Sequence, residues 1–255
     1  MTDPTGTRVA LVTGGSGWIG AGIARHLASA GVKVAINYHR RRDAAERVAE
    51  AIATSGGTAV AVQADITDEG SVGAMVEDVT ARFGPVDILV NNAIRGGVPQ
   101  RPIEDQRWDH YLAHLEFCLK APLLLLQAVL PGMKARGFGR VVNIGSEVFD
   151  LGDGNNAHYV SAKGAMVGLT RSWATELGPS GITVNSVVPG WTAREEHGLE
   201  NGEPTPAFAA YRQGLPLARF GTPGDIGAAV AFLAGEAAGF ITGQRLSVNG
   251  GMTRI

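Results

Sequence analysis

The sequence predicts a doubly wound α/β protein, a mostly parallel seven-stranded sheet with helices on both faces. Three observations predict it. Short apolar, β-branched runs alternate along the chain with longer segments of helical periodicity. The strand runs are continuously apolar rather than alternating, as strands buried on both faces must be. A glycine cluster lies between the first strand and the first helix, where α/β folds hold phosphate groups.

Strands are expected at Arg8–Val12, Lys33–Asn37, Thr58–Gln63, Val86–Asn91, Arg140–Gly145, Thr183–Val188 and Arg245–Val248. The helices fall between them, at Trp18–Ala30, Arg42–Thr54, Glu69–Phe83, Trp108–Lys134, Ala157–Leu177 and Pro223–Ala234. One long irregular stretch, Gly190–Gly221, reads as a loop over a site. The apolar run Leu123–Leu126 is too short to cross a bilayer and is closed by Pro131, so no membrane span is expected.

The 255 residues, 45% hydrophobic and 18% charged, suffice for one large domain, read as a single dinucleotide-binding and catalytic unit over 1–255. Lys and Arg number 22 against 24 Asp and Glu, so no basic surplus points to nucleic acid or an anionic membrane. The single cysteine, Cys118, excludes a disulfide within the chain and fits a reducing cytoplasm. The polar N-terminus has no apolar signal core, and the chain reads as cytoplasmic. His110 and His114 have metal-capable i, i+4 spacing without an acid or third ligand. They are expected on a solvated helix face, with no metal.

Each glycine of the cluster has a task. Gly14 supplies the positive φ of a tight turn, Gly17 lets backbone approach a pyrophosphate, and Gly20 lets the helix pack close to the strand. The helix N-terminus then faces the phosphates with its partial positive charge. The second strand ends in Asn37-Tyr38, followed by His39 and Arg40. No carboxylate stands there to bond a ribose 2′-hydroxyl, and cations are close by. This favours NADP(H) over NAD(H).

A second constellation carries chemistry. Tyr159 and Lys163 stand at i, i+4 and share a helix face. An ammonium beside a phenol favours the phenolate, so the tyrosine is expected to fall below its ordinary pKa of about 10. Such a phenol donates a proton to a carbonyl oxygen or takes one from an alcohol. Ser146, thirteen residues before Tyr159, ends a strand in Val-Asn-Ile-Gly-Ser, with its hydroxyl at the crevice where α/β ligands bind. Asn91-Asn92-Ala93 ends the fourth strand at the same crevice, and Asp65 follows the third, within reach of an adenine amine.

These residues carry a family resemblance. TGGSGWIG, Asp65, NNA, Ser146, YVSAK, Asn185 in VNSVVPG, LARFGTPGDI and ITGQRLSVNGG together resemble the short-chain dehydrogenase/reductases over essentially the full chain. The likeness is greatest to single-domain members of the 3-oxoacyl-carrier-protein reductase type. It implies a catalytic set of Ser146, Tyr159 and Lys163, with Tyr159 as acid/base, Lys163 on the nicotinamide ribose and Ser146 orienting the carbonyl. It implies cofactor contacts from Gly14, Ser16, Gly17, Trp18 and Ile19, from Asn37, Tyr38, His39 and Arg40, and from Asp65 and Ile66. Asn92, Ala93, Tyr159, Lys163, Pro189, Gly190 and Thr192 complete that set. It further implies a substrate lid over about 190–221, a small-molecule ketone or alcohol as substrate, and a homotetramer or homodimer.

Three departures from the family pattern stand out. Trp18 holds the usual place of the middle glycine, which has moved one residue earlier to Gly17, as in the extended sugar epimerases and dehydratases. The change removes the basic side chain that NADP-dependent members often place there. Cys118 stands where an asparagine usually organises a proton relay, and a thiol does not hold a helix kink and a water as an amide does. Ile94 replaces the glycine of NNAG and is expected to crowd the nicotinamide pocket. The leading expectation is an NADPH-dependent carbonyl reductase. The alternatives are a redox-neutral, cofactor-retaining enzyme and a non-catalytic dinucleotide-binding regulator. Trp191 is a pocket or lid-anchor residue, and Arg194 a possible partner for an anionic substrate.

Overall fold

The computed structural model describes residues 7–94, 98–192, 199–200 and 203–254. Seven strands form one sheet: β1 (Val9–Val12), β2 (Lys33–Tyr38), β3 (Ala59–Gln63), β4 (Ile88–Asn91), β5 (Gly139–Ile144), β6 (Ile182–Pro189) and, after a two-residue pair β7 (Leu199–Glu200) and β8 (Glu203–Pro204), β9 (Arg245–Val248). Their order is β3-β2-β1-β4-β5-β6-β9, and every neighbouring pair is parallel. The order reverses between β1 and β4, which opens a crevice beyond the carboxyl ends of those strands.

The continuous apolar strands do bury both faces. On β1, Ala10 and Val12 join one core cluster while Val9 and Leu11 join the other. The first face is covered by α1 (Trp18–Ser29), α2 (Arg42–Thr54) and α9 (Pro223–Ala234). The second is covered by α3 (Glu69–Phe83), α5 (Ala121–Arg136) and α7 (Ala157–Leu177). Each fully buried Val, Leu or Ile of these layers contributes about 1.5–3 kcal/mol. The remaining α-helices among the described residues are α4 (Trp108–Leu115), α6 (Val148–Leu151) and α8 (Pro206–Gly214).

Two expectations are corrected. Pro131 does not close the apolar run. It lies inside α5, and α4, a π turn at Glu116–Lys120 and α5 follow one another without a break over the 29 residues Trp108–Arg136. That run is long and apolar enough, by length and composition, to cross a membrane. Here Ala121, Leu125, Leu126, Val129 and Met133 pack into the core beneath the sheet. The stretch 190–221 is not simply irregular. It holds the β7–β8 pair and helix α8, started by Thr205, whose side chain accepts from the Phe208 N–H, and by Pro206 at the first helical position.

Candidate active site

The crevice is built on hydrogen bonds between the ends of β1 and β4. The Thr13 hydroxyl donates to Val90 O and accepts from the Asn92 and Ala93 N–H groups, at 2.9 and 3.1 Å. Asn92 Nδ2 donates to Thr13 O at 2.8 Å. Gly14 turns the chain at φ 59°, and Gly17, extended at φ −80°, caps α1 with no side-chain bond. The start of α1 thus has no side-chain cap from Gly17, and a helix N-terminus is where such turns receive an anion. Gly20 has no room for a side chain, since a Cβ there would stand 2.4 Å from Gly14 O.

The structure divides the residues that follow β2. Asn37 and Tyr38 are buried. The Asn37 side chain accepts from the Gly14 N–H and donates to Ala64 O, both at 3.3 Å, so it braces the turn from below. His39 and Arg40 are exposed at the rim. Arg41, which sequence reasoning did not single out, reaches the glycine turn. Its guanidinium lies 4.0 Å from where a Cβ on Gly17 would be. It lines a cavity of about 670 Å³ with Ser16, Gly17, Trp18, Arg25 and Arg47, and among the described residues no carboxylate lines that cavity. The signal was present as the middle arginine of Arg40-Arg41-Arg42, but a loop's direction is not legible in its composition.

Asp65 accepts from the Thr67 N–H and hydroxyl through one carboxylate oxygen, and these bonds hold it below its ordinary range. Its other oxygen is 3.9 Å from His39. Ile66 is buried beside it. Pro189 ends β6. The Thr192 hydroxyl donates to Gly190 O at 3.1 Å. Ile94 is 44% exposed. Arg194, Glu195 and Glu196 lie outside the described residues.

Ser146 follows β5, half-buried, and its oxygen accepts from the Val148 N–H at 3.4 Å. Tyr159 and Lys163 lie one turn apart near the start of α7. The Lys163 ammonium is 5.6 Å from the Tyr159 ring centre and donates to Ile144 O at 2.6 Å. The lysine is buried, and that carbonyl fixes its head at the end of β5. Behind it runs an amide chain: Asn91 donates to Asn143, which donates to Thr170.

Cys118 sits in the middle of the π turn, 1% exposed, packed with Ala162 and Met166. Burial pushes its thiol up, only partly opposed by the Lys163 charge. It is an apolar filler. The helix is nonetheless irregular at this point, so the distortion does not need an asparagine. The histidines correct an expectation more plainly. His114 is 7% exposed, not solvated, and stacks on buried His158 at 5.0 Å, with its ring 5.3 Å from that of Tyr159. Among the described residues no group of three metal-capable side chains converges.

Sequence reasoning also missed Glu147 and Tyr211. Glu147 is buried beside Ser146, and its carboxylate accepts from the Tyr211 hydroxyl of α8. Trp191 anchors the same group, in ring contact with Phe208, Tyr211 and Phe220. A carboxylate directly after Ser146 was the available signal.

Known proteins match over nearly the whole chain. A family profile described as enoyl-(acyl carrier protein) reductase matches residues 15–253. A 3-oxoacyl-(acyl-carrier-protein) reductase of Staphylococcus aureus is 40% identical over 248 residues, 96% of this chain and 98% of that one. One of Vibrio cholerae is 38% identical over 251 residues, 97% and 98% of the two chains. Among solved structures, a Serratia marcescens short-chain dehydrogenase/reductase variant matches at TM-score 0.85 and 36% identity, covering 97% of this chain and 98% of that one. A metagenomic blue fluorescent protein in complex with NADPH matches at TM-score 0.85 and 34% identity, with the same coverage.

Proposed function

Because the chain belongs to the short-chain dehydrogenase/reductase family of oxidoreductases, we propose that it is an NADPH-dependent carbonyl reductase with Tyr159 as its acid/base. The observation that carries this reading is the Tyr159–Lys163 pair, set one helical turn apart with the lysine head fixed on Ile144 at the end of β5. Ser146 follows the carboxyl end of β5 and Tyr159 lies near the start of α7, which supports a site at the crevice beyond the sheet, where α/β ligands bind.

The residues at the glycine turn fit a dinucleotide. A turn with no room for a Cβ at Gly20 and an uncapped helix start suits a pyrophosphate, and the Arg41 cavity suits a 2′-phosphate. Gly14, Ser16, Gly17, Trp18 and Ile19 would hold the phosphates. His39, Arg40 and Arg41 would hold the adenosine end, with Asp65, Ile66, Asn92 and Ala93 along the adenine side. Pro189, Gly190 and Thr192 would meet the nicotinamide, and Asn37 and Tyr38 support the cradle from inside. The bound nicotinamide supplies a hydride to the carbonyl carbon. Ser146 hydrogen-bonds the carbonyl oxygen and Tyr159 donates its phenolic proton to it. Lys163 lies beside the phenolate that remains.

The substrate class is a small-molecule ketone, with 3-oxoacyl thioesters first, as the curated relatives' names suggest. The stretch 190–221 acts as the substrate lid of a single domain. The free buried Cys118 suits a cytoplasmic setting. Exposed apolar side chains support a homotetramer: Trp108, Leu112 and Leu123 on the α4–α5 face, and Phe240 and Leu246 by the edge strand β9.

NADPH oxidation against 3-oxoacyl thioesters, cyclic and aromatic ketones, keto-sugars and an enoyl thioester tests the reading, with Tyr159→Phe as control. Turnover of a ketone that is lost in the variant is expected. Turnover of the enoyl thioester alone would reassign the reaction to C=C reduction, and tight NADPH binding without turnover would remove the reductase reading.

A further inference from the structure

The groove between α1 and α2 carries more positive charge than one cofactor phosphate needs. On α1, Ala21, Gly22 and Arg25 share a face by helical spacing, and Arg41, Ala44 and Arg47 do the same on α2 and its N-cap. Both faces line the cavity of about 670 Å³. The start of α9 closes it, since a Cβ on Gly22 would run into Pro223. Small residues on both helices leave the space, and the three exposed arginines stand around it.

These arginines have no counter-ion. Among the described residues none of Arg25, Arg41 and Arg47 takes part in an ion pair, and no carboxylate lines the cavity. The acids of the surrounding helices are engaged elsewhere: Glu46 with Arg42 at 2.7 Å, and Asp225 of α9 with Arg219 at 2.7 Å. Asp43 and Glu50, the other acids of α2, lie outside the lining. A cleft lined by one sign of charge focuses its field, and the guanidinium fork matches phosphate oxygens.

The cavity also exceeds what a 2′-phosphate fills. A water occupies about 30 Å³, so a phosphoryl group takes up a small part of the space. Arg25 stands about 10 Å along α1 from Trp18, and Arg47 about 9 Å along α2 from Arg41, roughly two turns in each case.

We propose that Arg25, Arg41 and Arg47 form a site for a small polyphosphate, either an inorganic chain or the triphosphate of a nucleotide. Arg25 and Arg47 serve this ligand, and Arg41 is shared with the cofactor. The inference rests on the reading that places the NADPH 2′-phosphate at Arg41. Its consequence is selective. A bound polyphosphate excludes NADPH, whose 2′-phosphate needs Arg41, and spares NADH, which has none. A polyphosphate seated in the glycine turn would exclude both.

Isothermal titration calorimetry of the full chain tests this, with inorganic triphosphate and ATP as probes. Wild type is expected to bind at least one of them. Arg25→Ala and Arg47→Ala are each expected to lower that affinity roughly ten- to a hundredfold, with NADPH affinity held within about twofold. Arg42→Ala removes the same charge from the same helix and should change neither. Saturating probe should weaken NADPH binding and leave NADH binding as it was. Equal binding of the two probes would show that phosphates alone are recognised, and binding of ATP alone that a base adds to them; both bear the inference out. It would be overturned by no binding of either probe, or by an Arg42→Ala loss as large as the other two. NADPH affinity falling as far as probe affinity in Arg25→Ala and Arg47→Ala would overturn it too, by returning both arginines to the cofactor. So would a probe that weakens NADPH and NADH alike, or neither. If NADPH fails to bind wild type while probe binding still depends on Arg25 and Arg47, the cofactor reading falls and the polyphosphate site stands.

Discussion

Tyr211 donates its hydroxyl to Glu147 Oε1 at 2.5 Å, and the same phenol oxygen accepts the Trp191 N–H at 2.8 Å. One bond pair thus ties helix α8 to the residue after Ser146 and to the chain leaving β6. Burial pushes the Glu147 carboxyl above its ordinary range, and its second oxygen has no partner among the described residues. Burial and the carboxylate push the Tyr211 phenol far up, so it stays a donor. Tyr211→Phe is expected to cost about 1–3 kcal/mol by leaving a buried carboxyl unpaired. Its mark on catalysis is a raised ketone KM with a smaller change in kcat, because the contact holds α8, in the stretch proposed as the substrate lid, and not the reacting atoms. A carboxyl raised on folding stabilises the protein fully below its unfolded value, and that contribution is lost as pH rises through the folded value. Thermal melts from pH 4 to 8 should show this loss in wild type and a flatter profile in Glu147→Gln. Equal profiles would mean the carboxyl is not held in this way.

Arg41 should decide between the two nicotinamide cofactors. Its guanidinium lies beside Gly17 in a cavity that no carboxylate among the described residues lines. Arg41→Ala removes charge-assisted bonds worth about 1.5–3 kcal/mol each to a 2′-phosphate. NADPH affinity is expected to fall by roughly ten- to a hundredfold with NADH affinity unchanged. Arg40→Ala, at the exposed rim, should do less. Equal losses for both cofactors in direct binding titrations would remove Arg41 from this role.

Cys118 should be inert. It is 1% exposed and burial raises its thiol, so little thiolate forms at neutral pH. Iodoacetamide at pH 7.5 is expected to leave the native protein unmodified by mass spectrometry and to label it in denaturant. Rapid native labelling would contradict the packing. Cys118→Ala should keep activity while losing a modest amount of stability, in proportion to the small volume removed.

The strand and helix pattern was legible because it follows from burial. β1 is buried on both faces and reads as four consecutive apolar residues, and the glycines of the turn are needed where backbone meets backbone. Two kinds of information were not legible. One is direction: Arg40 and Arg41 look alike in sequence, but only Arg41 turns into the cavity. The other is long-range pairing. Tyr211 meets Glu147 across 64 residues, and no local pattern announces it. His110 and His114 read as surface because an i, i+4 pair reports a shared helix face without saying what covers it. The π turn was hidden for a related reason, since it lies where Cys118 packs on Ala162 and Met166 of α7.

The glycines offer a paired test of the cradle. A Cβ on Gly20 would stand 2.4 Å from Gly14 O and 2.8 Å from Asn92 Nδ2, so the turn and α1 must move apart to admit it. Overpacking of this kind costs about 1–3 kcal/mol, and the displaced element is the helix start offered to the phosphates. Gly73 is the contrast. It lies inside α3 with nothing within 4 Å of its Cβ position, where alanine is worth about 0.5–1 kcal/mol of added helix stability. Gly20→Ala should therefore lower the melting temperature and weaken NADPH binding, while Gly73→Ala raises the melting temperature and leaves binding unchanged. A Gly20→Ala protein that melts and binds like wild type would mean that the close approach at the turn is not what shapes the cradle.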